Sequence, residues 1–493
     1  MTNLYTELDG AFLEYAEKDC LRLADGVVWS YADLRGLIAR MAKLLIERGV
    51  EPGDRVVVQV QKSAENLALY LATICVGGVY VPLNTAYTPA ELDYFVADAE
   101  PRLFVSAEGR SDVDSLTLDA NGGGSLMQAL DDDVPPTRVV SRQADDLAAI
   151  VYTSGTTGRS KGAMLSHGNL SSNAHSLCEA WGWRDDDVLL HALPIFHVHG
   201  LFIASHCALL NGTPMVWLSR FDAAETMKLL DGCTVMMGVP TFYTRLLAEQ
   251  SFPIVPLDHM RAFICGSAPL TEQVFDAFEA RTGHRILERY GMSETIINTT
   301  NPLDGERVPA TVGFALPGLE LRIADEQGQE LPTGAVGAIE VRGPSVFSGY
   351  WRMPDKTAEE IRPDGFFITG DLGIVDEHGR LSIVGRAKDL VISGGYNVYP
   401  KEVESLLDDI AQIQESAVIG VPHADFGEAV VAVVVPVQED VQLTQIEAAL
   451  DGQLARFKQP KAVVNVSGLP RNSMGKVQKN LLRDQFSEIL SGD

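Results

Sequence analysis

Between residues 152 and 163 the chain reads Tyr-Thr-Ser-Gly-Thr-Thr-Gly-Arg-Ser-Lys-Gly-Ala. Thr153, Ser154, Thr156, Thr157 and Ser160 offer hydroxyl donors and Lys161 a point charge. Gly155, Gly158 and Gly162 let the backbone turn and come close to a ligand. That combination suits a polyphosphate. It is not a Walker A loop, which would need glycine where Ser160 stands. A second concentration of charge lies near the C-terminus, in Arg456, Lys458, Lys461, Arg471, Lys476, Lys479 and Arg483. A local basic patch of that kind could draw a polyanion to a chain of net charge −28. His191, His197 and His199 cluster, but no acidic or Cys ligand accompanies them, so they do not read as a metal site.

The hydroxyl-rich loop needs a rigid support, and the flanking sequence supplies one. An apolar run from Leu147 to Tyr152 enters it, and Met164-Leu165 follows it. Upstream, residues 31–49 carry apolar groups at helical spacing and end on Gly49; Arg55–Val60 reads as a buried strand and Ala64–Val76 as a helix. The same alternation recurs at 224–230, 234–239, 260–265 and 271–282, which implies an α/β domain with largely parallel strands. Asn121–Ser125 and Asp131–Pro136 form a turn-rich surface connection, expected to be disordered at its tip. Beyond residue 310 short runs (319–323, 337–342, 381–384) separated by Gly, Pro and Asp read as a β-rich subdomain. After Lys388 the pattern is mixed again, with helices at 400–407 and 446–456 and strands at 417–421 and 430–435. The expected architecture is an α/β protein: a large N-terminal domain, 1–386, of mixed α/β subdomains with a β-rich subdomain, and a small mobile α+β domain, 387–493.

At 493 residues the chain exceeds a single core, and 46% hydrophobic content is ample for burial. Its six cysteines are scattered in apolar surroundings, as for buried thiols in a reducing compartment. The N-terminal residues show no basic-then-apolar leader, and no apolar run approaches a membrane span. These features point to the cytoplasm, and the negative charge argues against nucleic-acid and membrane partners.

Several further motifs follow the loop in order: Gly266-Ser267-Ala268-Pro269, Tyr290-Gly291-Met292-Ser293-Glu294, Tyr350-Trp351, Thr369-Gly370-Asp371, Gly385-Arg386-Ala387-Lys388-Asp389, Gly394-Gly395-Tyr396-Asn397 and Pro470–Lys476. Together they resemble the adenylate-forming superfamily, which includes acyl-CoA synthetases, adenylation domains of peptide synthetases and luciferases, over essentially the whole chain. The resemblance implies that ATP activates a carboxylate as an acyl-adenylate, which a thiol then displaces. Lys476 would be the cation bridging carboxylate and α-phosphate, and Glu294 the Mg²⁺ ligand. Thr153, Ser154, Gly155, Thr156, Thr157, Gly158 and Lys161 would hold phosphates. Gly266, Ser267, Ala268, Glu288, Tyr290, Gly291, Met292 and Ser293 would enclose the nucleotide, with Asp371 on the ribose hydroxyls and Arg386 close to ribose and phosphate. Lys388 aligns with the hinge of the C-terminal domain, and Gly394, Gly395 and Tyr396 with the tunnel for coenzyme A. His197 falls beside the acyl pocket as a catalytic candidate, and with Ser267 and Arg289 it would contact the acid. Lys476 also resembles the lysine that protein acetyltransferases modify in this superfamily.

Arg289 precedes Tyr290, where members of the superfamily line the acyl pocket. An unpaired buried guanidinium is costly, whereas a second carboxylate on the substrate would pair with it. The surroundings of Arg289, with 298–313, 367–373 and 394–402, are similar to malonyl-CoA synthetases, so malonate is the expected acid and methylmalonate a secondary one. A CoA ligase for another short, fatty or aromatic acid and a stand-alone amino-acid adenylation enzyme are the competing readings.

Overall fold

A computed structural model describes residues 3–132, 134, 138–153, 160–423, 426–472 and 475–490. Two sheets form the scaffold of the large domain. The first has nine strands, in the order Phe314–Ala315, Thr299–Thr300, Leu287–Tyr290, Ala262–Cys265, Val235–Gly238, Leu189–His191, Met215–Trp217, Asp19–Leu23 and Val28–Ser30. Its run from Leu287–Tyr290 to Asp19–Leu23 is parallel throughout, and antiparallel strands flank it on both sides. The five strands from Leu287–Tyr290 to Met215–Trp217 are short and wholly buried, as expected for a parallel sheet covered on both faces. The second sheet has six strands and ends in an antiparallel hairpin, Leu147–Thr153 with Lys161–Ser166, in which Thr153 pairs with Lys161. Thr153 and Lys161, the described residues on either side of the hydroxyl-rich segment, are thereby held next to each other.

The β-rich region is a four-stranded antiparallel sheet, Glu320–Ala324, Gly337–Arg342, Phe367–Val375 and Leu381–Arg386, and its register sets Asp371 opposite Arg386. A 3-10 turn, Ala387–Asp389, leads into a five-stranded sheet built on the long hairpin Ile413–His423 and Gly427–Pro436. The helix Pro400–Asp408 packs on this sheet through Val403 and Leu407, and the sheet keeps its own apolar core. No helix among the described residues is long and apolar enough to cross a membrane.

Two local expectations change. The helix expected at 446–456 is Leu443–Leu450, because Asp451 is extended and Gly452 takes a left-handed φ of +75°. The turn 121–125 is ordered: Asp119 accepts from the amides of Asn121 and Gly123, and Ser125 bonds Thr117. The tip at 133 and 135–137 lies outside the described residues. Of the six free cysteines, five are buried and Cys178 is half-buried.

Candidate active site

Gly266 and Ser267 follow the strand Ala262–Cys265, and Arg289 and Tyr290 end the strand beside it. His191 and Trp217 end two further parallel strands. All lie at the carboxyl edge of the nine-stranded sheet, where parallel α/β sheets bind ligands. Ser267 has a φ of +73°, a strained value for a residue with a Cβ and one that clusters at ligand sites.

Arg289 is 4% exposed, and its Nε and Nη2 have no hydrogen-bond partner among the described residues. It lies against Gly266 so closely that a Cβ there would stand 2.5 Å from Nη1, which explains the glycine. Glu288, its neighbour along the strand, does not answer its charge: that carboxyl accepts from the amide of Leu270. Burial pushes Glu288 up to about 8 and pulls Arg289 down to about 10, still charged at neutral pH. His197 and His199 share this pocket. The amide of His199 donates to His197 Nδ1 at 3.2 Å, which leaves the proton of a neutral ring on Nε2. Burial and the nearby Arg289 hold His197 down at about 4, so it is neutral. His199 sets Nδ1 3.2 Å from Ser267 Oγ, and its buried Nε2 is unpaired among the described residues. From the sequence His199 was notable only as part of a histidine cluster that does not read as a metal site. Its orphaned nitrogen beside Arg289 brings it into the site.

His199 opens a π-helical turn, His199–Ala204, and His197 stands two residues before it. The Gly200 carbonyl receives His191 Nε2 at 3.0 Å and Ser205 Oγ at 2.9 Å, and Lys62 Nζ fixes His191 through Nδ1 at 2.8 Å. π-turns occur often at functional sites. Nothing in the sequence marked this one, since the segment reads as an ordinary apolar helix.

Beyond Tyr290 the chain turns through Gly291, Met292 and Ser293 to Glu294. The Tyr290 hydroxyl donates to Asp371 Oδ2 at 2.6 Å, while Arg386 Nε stands 2.8 Å from Asp371 Oδ1. Asp371 therefore has a polar partner on each oxygen. Lys476 reaches the same place: its pKa is lowered to about 8 by burial and by the charge of Arg386, with Asp371 opposing. The loop that carries it docks at Gly475, whose left-handed φ of +77° brings its Cα face within 3.2 Å (measured from a built Cβ) of Thr241.

Glu294 is 4% exposed, and burial raises its pKa. Its Oε1 lies 3.4 Å from Thr153 Oγ1 and 3.1 Å from the Tyr350 hydroxyl. Lys161 Nζ bonds Glu360 Oε1 at 3.0 Å and lies 4.0 Å over the Tyr350 ring. A bridge between Ala163 and Tyr350 ties that ring to the hairpin. Ser154, Gly155, Thr156, Thr157 and Gly158, assigned to phosphate binding, lie outside the described residues.

The AMP-binding enzyme family matches residues 11–351, and its C-terminal domain family matches 402–476. The chain belongs to the AMP-binding enzymes. It is an acid–CoA ligase of the AMP-forming kind. It is 52% identical to MatB from Rhodopseudomonas palustris, with 99% of each chain covered and a TM-score of 0.94 to the ATP-bound crystal structure. The apo crystal structure of that protein gives a TM-score of 0.82. A malonate–CoA ligase of Arabidopsis thaliana is 33% identical over 98% of this chain and 90% of its own length. A feruloyl-CoA synthase of an Amycolatopsis species is 35% identical, with 94% of each covered.

In this AMP-binding enzyme the C-terminal residues divide. Lys476 is brought to Asp371 and Arg386. Gly394, Gly395 and Tyr396 are not; they form an exposed turn between Val391–Ser393 and Tyr396–Val398, with the Tyr396 ring 4.7 Å from Phe457. Lys388 sits in the 3-10 turn between the two last sheets. The expected basic patch is largely neutralised. Lys458 pairs with Glu402, Arg471 with Glu415, Lys479 with Glu404 and Arg483 with Asp389.

Proposed function

We propose that this enzyme activates malonate with ATP as malonyl-adenylate and passes the malonyl group to coenzyme A, with methylmalonate as a secondary substrate. The observation that carries the choice of acid is Arg289, a buried cation with two nitrogens unpaired among the described residues, beside two neutral histidines. An apolar acid would leave that charge uncompensated. The distal carboxylate of a short dicarboxylic acid answers it, and the neutral His197 Nε2–H is a further donor. The malonate–CoA ligase of Arabidopsis among the relatives and the likeness to MatB support the reading.

The chemistry follows from charge. A carboxylate and a phosphate, both anions, must meet, so the work is positioning and neutralisation. Lys476, charged below about pH 8, bridges the proximal carboxylate and the α-phosphate. Asp371 and Tyr290 hold the nucleoside end, and Arg386 spans ribose and phosphate. Glu294, with the Thr153 and Tyr350 hydroxyls around it, offers the oxygen donors that Mg²⁺ prefers, and one carboxylate plus substrate phosphates is its usual setting. When bound, the metal supplies charge neutralisation on the phosphates. For thioester formation the domain 387–493 turns about Lys388, withdrawing Lys476 and bringing Gly394, Gly395 and Tyr396 to the site. Acetylation of Lys476 by a protein acetyltransferase would remove the bridging charge and stop the first step.

The test is AMP formation from a panel of carboxylic acids, with and without coenzyme A. Malonate should lead, with methylmalonate next. Preference for acetate, butyrate or an aromatic acid would overturn the assignment of the acid, and product formation indifferent to coenzyme A would overturn the thiol.

A further inference from the structure

The Lys161 ammonium has a committed partner in this structure. It donates to Glu360 Oε1 at 3.0 Å, and the side chains of the pair are 10% and 21% exposed. Glu360 is held in turn by Lys356 at 3.1 Å and by the Tyr350 hydroxyl at 2.6 Å. That same hydroxyl touches Glu294 at 3.1 Å, so Glu360 sits one residue away from the carboxylate assigned to the metal. A tyrosine hydroxyl has one proton and cannot serve two carboxylates fully. The geometry points to Glu360 as the resting counter-ion of Lys161. We propose that ATP's terminal phosphates, and the pyrophosphate they become, must take Lys161 from Glu360. The proposal rests on the adenylating function above.

Two effects act in the same direction. A phosphate competing for Lys161 gains only the difference between its own bond and the one Glu360 supplies. Glu360 also leaves a negative charge one side chain from the phosphates, where partial burial weakens screening. Glu360 thus keeps pyrophosphate from being held too tightly after the adenylate forms. Tyr350, with its ring 4.0 Å beneath the ammonium, keeps Lys161 close in either state. The role is one of positioning: Glu360 acts through Lys161.

The sign of the effect makes it testable, because loss of a merely structural residue weakens ligand binding. In the full-length enzyme, malonate-dependent ATP–pyrophosphate exchange and inhibition by pyrophosphate are measured. Glu360→Gln keeps an acceptor for Tyr350 and removes the charge. It should lower the pyrophosphate inhibition constant and the KM for ATP by about five- to tenfold. Glu360→Asp, which draws the carboxylate back, should shift both the same way by a smaller factor, and stands in if the glutamine variant fails to fold. In a Lys161→Met background only the direct repulsion is left to relieve, so Glu360→Gln should lower both constants by less than about twofold. Unchanged or weaker pyrophosphate binding in Glu360→Gln, or an equal shift without Lys161, would overturn the proposal. Absence of malonate-dependent exchange in the wild type would instead count against the choice of acid, and the same constants are then read with whichever acid supports exchange.

Discussion

Arg289 and Lys476 are the two cations whose environments matter most, and burial acts on them differently. Arg289, pulled down to about 10, stays charged at working pH, and its Nε and Nη2 are unpaired among the described residues. Breaking a buried ion pair costs about 3–5 kcal/mol. Arg289→Ala should therefore cut kcat/KM for malonate by on the order of a hundredfold or more while leaving the KM for ATP nearly unchanged. Arg289→Lys should restore only part, since an ammonium cannot make the two-pronged contact. Steady-state constants for malonate, methylmalonate, acetate and butyrate in all three proteins check this. Lys476 carries a pH signature. Its free-enzyme pKa, lowered to about 8, leaves it charged below that value and neutral above it. Adenylation needs the charge, so kcat/KM for pyrophosphate release should fall as pH rises through about 8. His197, already neutral above about 4, should add no step between pH 5 and 8. A rate that climbs steadily to pH 9.5 would remove Lys476 from its role.

Among the elements, the loop that carries Lys476 is the most exposed to a single change. Gly475 combines a left-handed φ of +77° with a built Cβ 3.2 Å from Thr241. Gly475→Ala meets both obstacles, each about 1 kcal/mol. Adenylation should slow roughly tenfold while thioester formation from supplied malonyl-adenylate is unchanged, as rapid-quench assays of the separate half-reactions would show. The sequence made this loop legible because glycine and lysine stand together there. It likewise made the strand Gly337–Arg342 legible to the residue, since alternation bounded by turn residues is a local property. Features set by distant partners were not. The helix ending at Leu450 was overrun because Leu454, buried though not helical, continues the apolar pattern. The π-turn at His199–Ala204 depends on hydrogen bonds from His191 and Ser205, and the link from Glu294 to Tyr350 crosses 56 residues. Arg289 was readable as a charge in an apolar setting, but that Glu288 would bond Leu270 instead needed the sheet.

For the whole molecule, one arrangement of the C-terminal domain serves one half of the proposed reaction. Lys476 is at the site while Gly394, Gly395 and Tyr396 are exposed elsewhere, and the TM-score is higher to ATP-bound MatB (0.94) than to its apo form (0.82). If Lys388 is the hinge, Lys388→Pro, by fixing φ, should keep adenylation and lose thioester formation. A proline variant with normal thioester formation would move the hinge elsewhere. The neutralised basic cluster has a consequence for encounter rates. With four of its seven cations paired to acids, little at that surface offsets the −28 of the chain. Malonate and nucleotide, both anions, then approach against a repulsive long-range field. Added salt shrinks that field to a Debye length of about 10 Å at 0.1 M. Raising ionic strength from about 20 to about 150 mM should speed malonate capture about two- to threefold, the reverse of electrostatic steering, with kcat unchanged.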